Sequence, residues 1–160
     1  MPPQFPFVAN LRAASEVNPR SNGVDDREQF RDITNTTVGK RILVVDDSQS
    51  IRQHVRTTLA EGGFEVVEAV DGLDALETLK ARTDIDVVIC DVNMPRLDGL
   101  GLLDELKAAG AMARLQVLML TTEGQPAMMQ RAKQAGAKGW IVKPFKPPLL
   151  LAAIKKIAGQ

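Results

Sequence analysis

Between residues 40 and 160 the chain repeats one unit five times: a short apolar run, a polar residue, then apolar positions at helical spacing. Ile42-Leu43-Val44-Val45 runs into Asp46-Asp47-Ser48, a turn and helix N-cap signature. Ile51, Val55 and Leu59 follow four residues apart, as on one face of a helix, and Gly62-Gly63 stop it. Phe64 to Ala69 reads as a second strand, Asp71-Gly72 as a turn, and Leu73, Leu76 and Leu79 as the apolar side of a second helix. Val87 to Cys90 is a third strand ending at Asp91, followed by a loop bracketed by Met94-Pro95 and Asp98-Gly99. Leu102, Leu103 and Leu106 mark the third helix, closed by Gly110. Val117 to Leu120 is a fourth strand ending at Thr121-Thr122, with a helix from about Pro126 to Ala135. Gly139 to Val142 is a fifth strand ending at Lys143-Pro144, and Pro147 opens a last helix with Leu150, Ile154 and Ile157 on one face.

Strands that read as continuous apolar runs fit a parallel sheet covered on both faces. Right-handed crossovers put the helices on both sides of it. The expected fold is therefore α/β: a single doubly wound (βα)5 domain over residues 40–160. Residues 1–39 have a different texture, with Pro2, Pro3, Pro6 and Pro19 and no sustained apolar period. They are expected to be a disordered N-terminal extension. The alternative is a segment that docks onto a surface through Phe5 and Phe7.

Composition removes several function classes. Twenty basic residues balance twenty acidic ones, which argues against a generally basic nucleic-acid binder and leaves only a local basic patch open. Cys90 is the only cysteine and His54 the only histidine, which excludes an intrachain disulfide and a zinc site built from several histidines. No apolar run approaches the ~20 residues of a membrane span, and no basic segment followed by an apolar stretch opens the chain. The expectation is a cytoplasmic protein with neither nucleic acid nor membrane as partner.

The distinctive polar residues share one position in the repeat, the carboxyl end of a strand: Asp46-Asp47, Asp91, Thr121 and Lys143. In a parallel sheet these ends lie on one edge, where open α/β folds bind ligands. Three converging carboxylates repel, so one takes a proton or a cation joins them. An oxygen-only donor set points to Mg²⁺ or Mn²⁺ rather than zinc. Such a site suits phosphoryl transfer onto a carboxylate, with Lys143 and Thr121 contacting the phosphoryl oxygens. Each residue also has a bland reading alone: Asp46-Asp47-Ser48 as a helix cap, Asp91 as a turn residue, Lys143 as a solvated lysine. Cys90 reads as core, His54 as a surface or boundary residue, and Met128-Met129 as core or an adaptable partner surface.

Four segments carry a resemblance: Val44-Val45-Asp46-Asp47-Ser48; Cys90 to Pro95 with Asp98-Gly99; Leu120-Thr121-Thr122-Glu123; and Gly139 to Phe145. Together they resemble the receiver domain of two-component response regulators, most closely the stand-alone CheY-type chemotaxis regulators. The resemblance implies a flavodoxin-like strand order, 2-1-3-4-5. It implies Asp91 as phosphoacceptor, Asp46 and Asp47 as the acidic metal pair, and Asn93 as donor of a backbone carbonyl to Mg²⁺. It implies Thr121 as the switch hydroxyl, Lys143 as the phosphate-contacting lysine, and Trp140 in the place of a switch aromatic that is usually Tyr or Phe. It further implies a cis Lys143-Pro144 peptide and a phosphorylation-dependent face made of helix 4, strand 5 and helix 5.

The implied partners are a histidine kinase as phosphodonor and a flagellar motor switch protein or other phospho-dependent target. Only three residues follow Ile157, so output is expected through protein contacts rather than an appended domain. No turnover of an external substrate is expected. Other readings are a phosphorelay intermediate, an aspartyl-nucleophile phosphohydrolase, a flavin protein and a receiver that is never phosphorylated. Asn93 stands where such hydrolases place an acid, Asp46-Asp47 would repel a flavin phosphate, and the complete acidic set argues against the last.

Overall fold

A computed structural model describes residues 40–159 and the backbone of Phe7–Val8. The strands are β1 (Arg41–Val45), β2 (Glu65–Ala69), β3 (Val87–Cys90), β4 (Gln116–Thr121) and β5 (Gly139–Val142). The helices are α1 (Gln49–Glu61), α2 (Gly72–Ala81), α3 (Gly99–Ala108), α4 (Pro126–Gln134) and α5 (Pro147–Ile157). All strand pairs are parallel and the order is β2-β1-β3-β4-β5, as the resemblance implies. Phe7–Val8 adds a two-residue parallel strand outside β5, with Phe7 opposite Gly139 and Val8 opposite Trp140. The rest of the expected extension, Phe5 included, lies outside the described residues.

Alternation along each strand divides the core into two layers. Leu43, Val45, Val88, Cys90, Val117, Met119 and Trp140 face α2, α3 and α4. Ile42, Val44, Val87, Ile89, Leu118, Leu120 and Ile141 face α1 and α5. Both faces of the central strands are therefore apolar, which is why the runs read as continuous in sequence.

One helix face differs from expectation. α2 buries Gly72, Ala75 and Leu79, while Leu73 is exposed. A spacing of three drifts around a helix of 3.6 residues per turn, so Leu73, Leu76 and Leu79 do not share one line. Met128 and Met129 are partly buried against the core layer that contains Trp140. His54 is exposed and its ring lies 4.6 Å from that of Phe145. Among the described residues no helix is long and apolar enough to cross a membrane.

Candidate functional site

Each loop at the carboxyl edge of the sheet is shaped by a short local device. After β1, Ser48 caps α1 by accepting from the Ile51 amide, and its own amide donates to Asp46 Oδ1 at 2.9 Å. That bond turns Asp46 inward, while Asp47 is exposed. After β3, Asp98 caps α3 by accepting from the Gly101 amide at 2.7 Å. Gly99 seats that helix directly against the Asp91 backbone, donating its amide to the Val92 carbonyl at 2.8 Å. A Cβ at Gly99 would lie 2.0 Å from the Asp91 carbonyl oxygen, so only glycine permits this approach.

The structure brings the predicted acids together. Carboxylate oxygens of Asp46, Asp47 and Asp91 lie within 4.8 Å of one another. Lys143 reaches in from the end of β5, its Nζ 2.7 Å from Asp46 Oδ2 and 3.0 Å from Asp91 Oδ2. The Lys143, Asp46 and Asp91 side chains are 11%, 4% and 10% exposed, so this is a nearly buried cation held between two anions. Burial raises the Asp46 carboxyl above its ordinary range, outweighing the hydrogen bond from Lys143. Burial acts downward on the Lys143 ammonium, but its bonds to Asp46 and Asp91 prevail and its pKa is raised. The other Asp91 oxygen, Oδ1, accepts from the Val92 amide at 2.7 Å. The Lys143-Pro144 peptide is cis, as the resemblance implies.

Thr121 is fully buried at the end of β4 and Thr122 is exposed. Thr121 Oγ1 accepts from the Glu123 amide at 3.2 Å. Trp140 is 1% exposed, and its indole Nε1 donates to the Glu123 carbonyl at 2.8 Å. The bulk of a tryptophan is thus accommodated inside, among Val117, Met119 and the flanking helices. Asn93 is exposed, and its side-chain amide donates to Glu123 Oε1 at 2.8 Å. Glu123 therefore ties together the end of β4 at Thr121, the β5 residue Trp140 and the loop that carries Asn93. Cys90 is buried, with its Sγ against the Asp91 carbonyl, and burial pushes its thiol pKa far up, so it offers no nucleophile.

Three supporting residues escaped the sequence reading. Arg52 donates Nη1 to the Asp46 carbonyl at 2.7 Å and Nε to Glu68 Oε1 at 3.1 Å, bracing the acidic turn against β2. Asp71 is both the N-cap of α2 and a buried partner of Arg96, which meets it through Nε at 2.6 Å and Nη2 at 3.0 Å. Arg96 has a φ of 66°, an uncommon conformation for an arginine, and Gly72 donates to the adjacent Leu97 carbonyl at 3.0 Å. The Asp91–Asp98 loop is thereby stapled to the start of α2. A lone Asp-Gly reads as a turn, and nothing local announces a partner 25 residues away.

A doubly wound sheet with an acidic triad, a buried lysine and a buried hydroxyl at its carboxyl edge defines a receiver domain. The sequence matches the response regulator receiver domain model over residues 42–155, and the chain belongs to that family. It is 44% identical over 117 residues to chemotaxis protein CheY of Bacillus subtilis, a match covering 72% of this chain and 95% of that one. It is 39% identical over 120 residues to chemotaxis protein CheY1 of Helicobacter pylori, covering 74% and 97%. The solved structure of Vibrio cholerae chemotaxis protein CheY4 is similar at a TM-score of 0.69 and 42% identity, covering 74% of this chain and 98% of that one.

Receiver domains of this kind bind Mg²⁺ at an acidic pocket. The donor set here fits: three carboxylates that offer hard oxygens, and a partly open flank at exposed Asp47 for water ligands.

Proposed function

We propose that this chain is a phosphorylation-switched response regulator whose acceptor is Asp91. The observation that carries the reading is the grouping of the Asp46, Asp47 and Asp91 carboxylates around the Lys143 ammonium. Asp46, Asp47, Asp91 and the Asn93 backbone carbonyl would hold Mg²⁺, which supplies positive charge to screen phosphoryl oxygens. An Asp91 carboxylate oxygen attacks the phosphorus of a kinase phosphohistidine. The new O–P bond forms as the N–P bond breaks, and the imidazole leaves with the bonding pair and takes up a proton. Lys143 exchanges carboxylate partners for phosphoryl oxygens, and the Thr121 hydroxyl donates to one of them.

Those changes bear on Glu123 and Trp140, which share the β4–α4 loop and β5 with Thr121 and Lys143. The proposed output is a change in the surface made by α4, β5 and α5. Asn93 provides no acid or base, and its amide is engaged by Glu123, so the reading is a switch without turnover of an external substrate. Similarity to CheY proteins of three bacteria supports a role in chemotaxis signalling, with a histidine kinase upstream and a flagellar motor switch protein as target.

The test is intact-protein mass after incubation with acetyl phosphate, with and without Mg²⁺, on wild type and Asp91→Asn. The expected result is a gain of one phosphoryl group that requires both Mg²⁺ and Asp91. A gain that persists in Asp91→Asn would move the acceptor elsewhere, and no gain from either acetyl phosphate or a kinase would overturn the reading.

A further inference from the structure

β5 is the last strand of the five-stranded domain sheet on its side, with β4 on one flank. The other flank of such a strand presents unpaired N–H and C=O groups, a template for any extended segment. Here Phe7–Val8 takes that flank in parallel register against Gly139 and Trp140. The second of those residues is the tryptophan whose indole reaches the Glu123 carbonyl, so the added strand abuts the element that links β5 to the β4–α4 loop. Parallel pairing requires a crossover of a dozen or more residues, and the stretch between Val8 and β1 is long enough to supply one. The added strand pairs with only the first half of β5. A pairing of two residues is far shorter than the usual strand of five or six and is correspondingly weak.

We propose that the outer edge of β5 is a docking edge for an extended peptide, and that this chain supplies its own displaceable occupant, Phe7–Val8. A partner that recognises the edge by strand addition, through main-chain hydrogen bonds, must first displace that segment. The self-supplied strand thus holds the edge closed in cis. The proposal concerns backbone pairing and does not depend on phosphorylation of Asp91.

The test is residue-resolved amide hydrogen exchange by NMR on the full chain without any phosphodonor. Wild type is compared with Val8→Pro, which removes a ladder donor and fixes φ. Outward-facing amides of residues 139–142 are expected to exchange at least tenfold faster in Val8→Pro. Amides of β1 and β3 should be unchanged, which separates loss of the edge strand from general loosening. Adding a synthetic peptide of residues 1–12 in excess to Val8→Pro should restore protection. Every sample is unphosphorylated and keeps Asp91, so a failure of the phosphoacceptor assignment leaves this test intact. Equal exchange in wild type and Val8→Pro, or no protection from the peptide, would overturn the proposal.

Discussion

Lys143 is the single ammonium between two nearly buried carboxylates, so its removal is a direct probe of the site's electrostatics. In Lys143→Met the alkyl stem is largely kept and the charge is lost, leaving Asp46 and Asp91 facing each other. Breaking a buried ion pair by removing one partner costs about 3–5 kcal/mol. The exposed flank at Asp47 admits water, which favours the low end of that range, about 3 kcal/mol at neutral pH. For a domain of this size that corresponds to a Tm lowered by roughly 10 °C. Urea unfolding can be followed by the emission of Trp140, since the chain has one tryptophan and no tyrosine.

The pH dependence carries a definite sign. Asp46 has a raised pKa in the folded state, so folding takes up protons, and stability falls as pH rises from the ordinary carboxylate range through the raised value. Lys143 opposes that rise through its hydrogen bond, so its removal pushes Asp46 up further and enlarges the loss at neutral pH. The deficit of Lys143→Met should therefore shrink on acidification, as Asp46 takes up its proton. Asp46→Asn/Lys143→Met should recover more than half of the loss, a coupling that a double-mutant cycle measures. A neutral-pH deficit below about 0.5 kcal/mol, the scale of an ordinary surface substitution, would refute the reasoning. So would a deficit that is independent of both pH and Asp46.

Gly99→Ala places a methyl group 2.0 Å from the Asp91 carbonyl oxygen, and backbone must move to admit it. It should destabilise the protein by several kcal/mol in urea titrations and slow phosphorylation of Asp91 by acetyl phosphate, whereas Gly124→Ala, with open space around it, should do neither. Asp71→Asn keeps an N-cap for α2 but loses the charge that faces Arg96. Asp71 has a lowered pKa, held down first by the hydrogen bonds from Arg96, so its stabilisation is present above the ordinary carboxylate range and lost as pH falls through the folded value. The urea midpoint of Asp71→Asn should accordingly lie below wild type at neutral pH and converge with it in acid. Mg²⁺ at about 100 times its Kd should stabilise wild type by ~2.7 kcal/mol, and thermal melts of Asp46→Asn should show little of that gain.

The order of elements was legible because its cause is local. Val44-Val45-Asp46-Asp47 and Ile141-Val142-Lys143-Pro144 each record a parallel strand ending in a polar turn, and a short window contains that information. The switch of period from strand to helix did the same for Ile51, Val55 and Leu59, of which Val55 and Leu59 are fully buried. The period failed at Leu73, where a spacing of three left a residue just outside the buried line of α2. Local pattern also placed Asp46, Asp47, Asp91, Thr121 and Lys143 on one edge, once the strands were taken as parallel.

Sequence by itself thus determined which residues stand at strand ends, and with them the site's donor chemistry. Tertiary structure alone decided which of those side chains meet. The Lys143–Asp46 contact spans 97 residues and exists because strand order brings the ends of β5 and β1 to the same edge. The Glu123 contacts to Trp140 and Asn93, the Asp71–Arg96 staple and the brace from Arg52 to Glu68 are of the same kind. Each joins two separate parts of the chain whose separation is fixed by sheet register and helix packing, quantities that no periodicity within one segment encodes. The seating of Phe7–Val8 on β5 follows from the unpaired edge that the finished sheet leaves open, so it exists as a binding option only after the domain has folded.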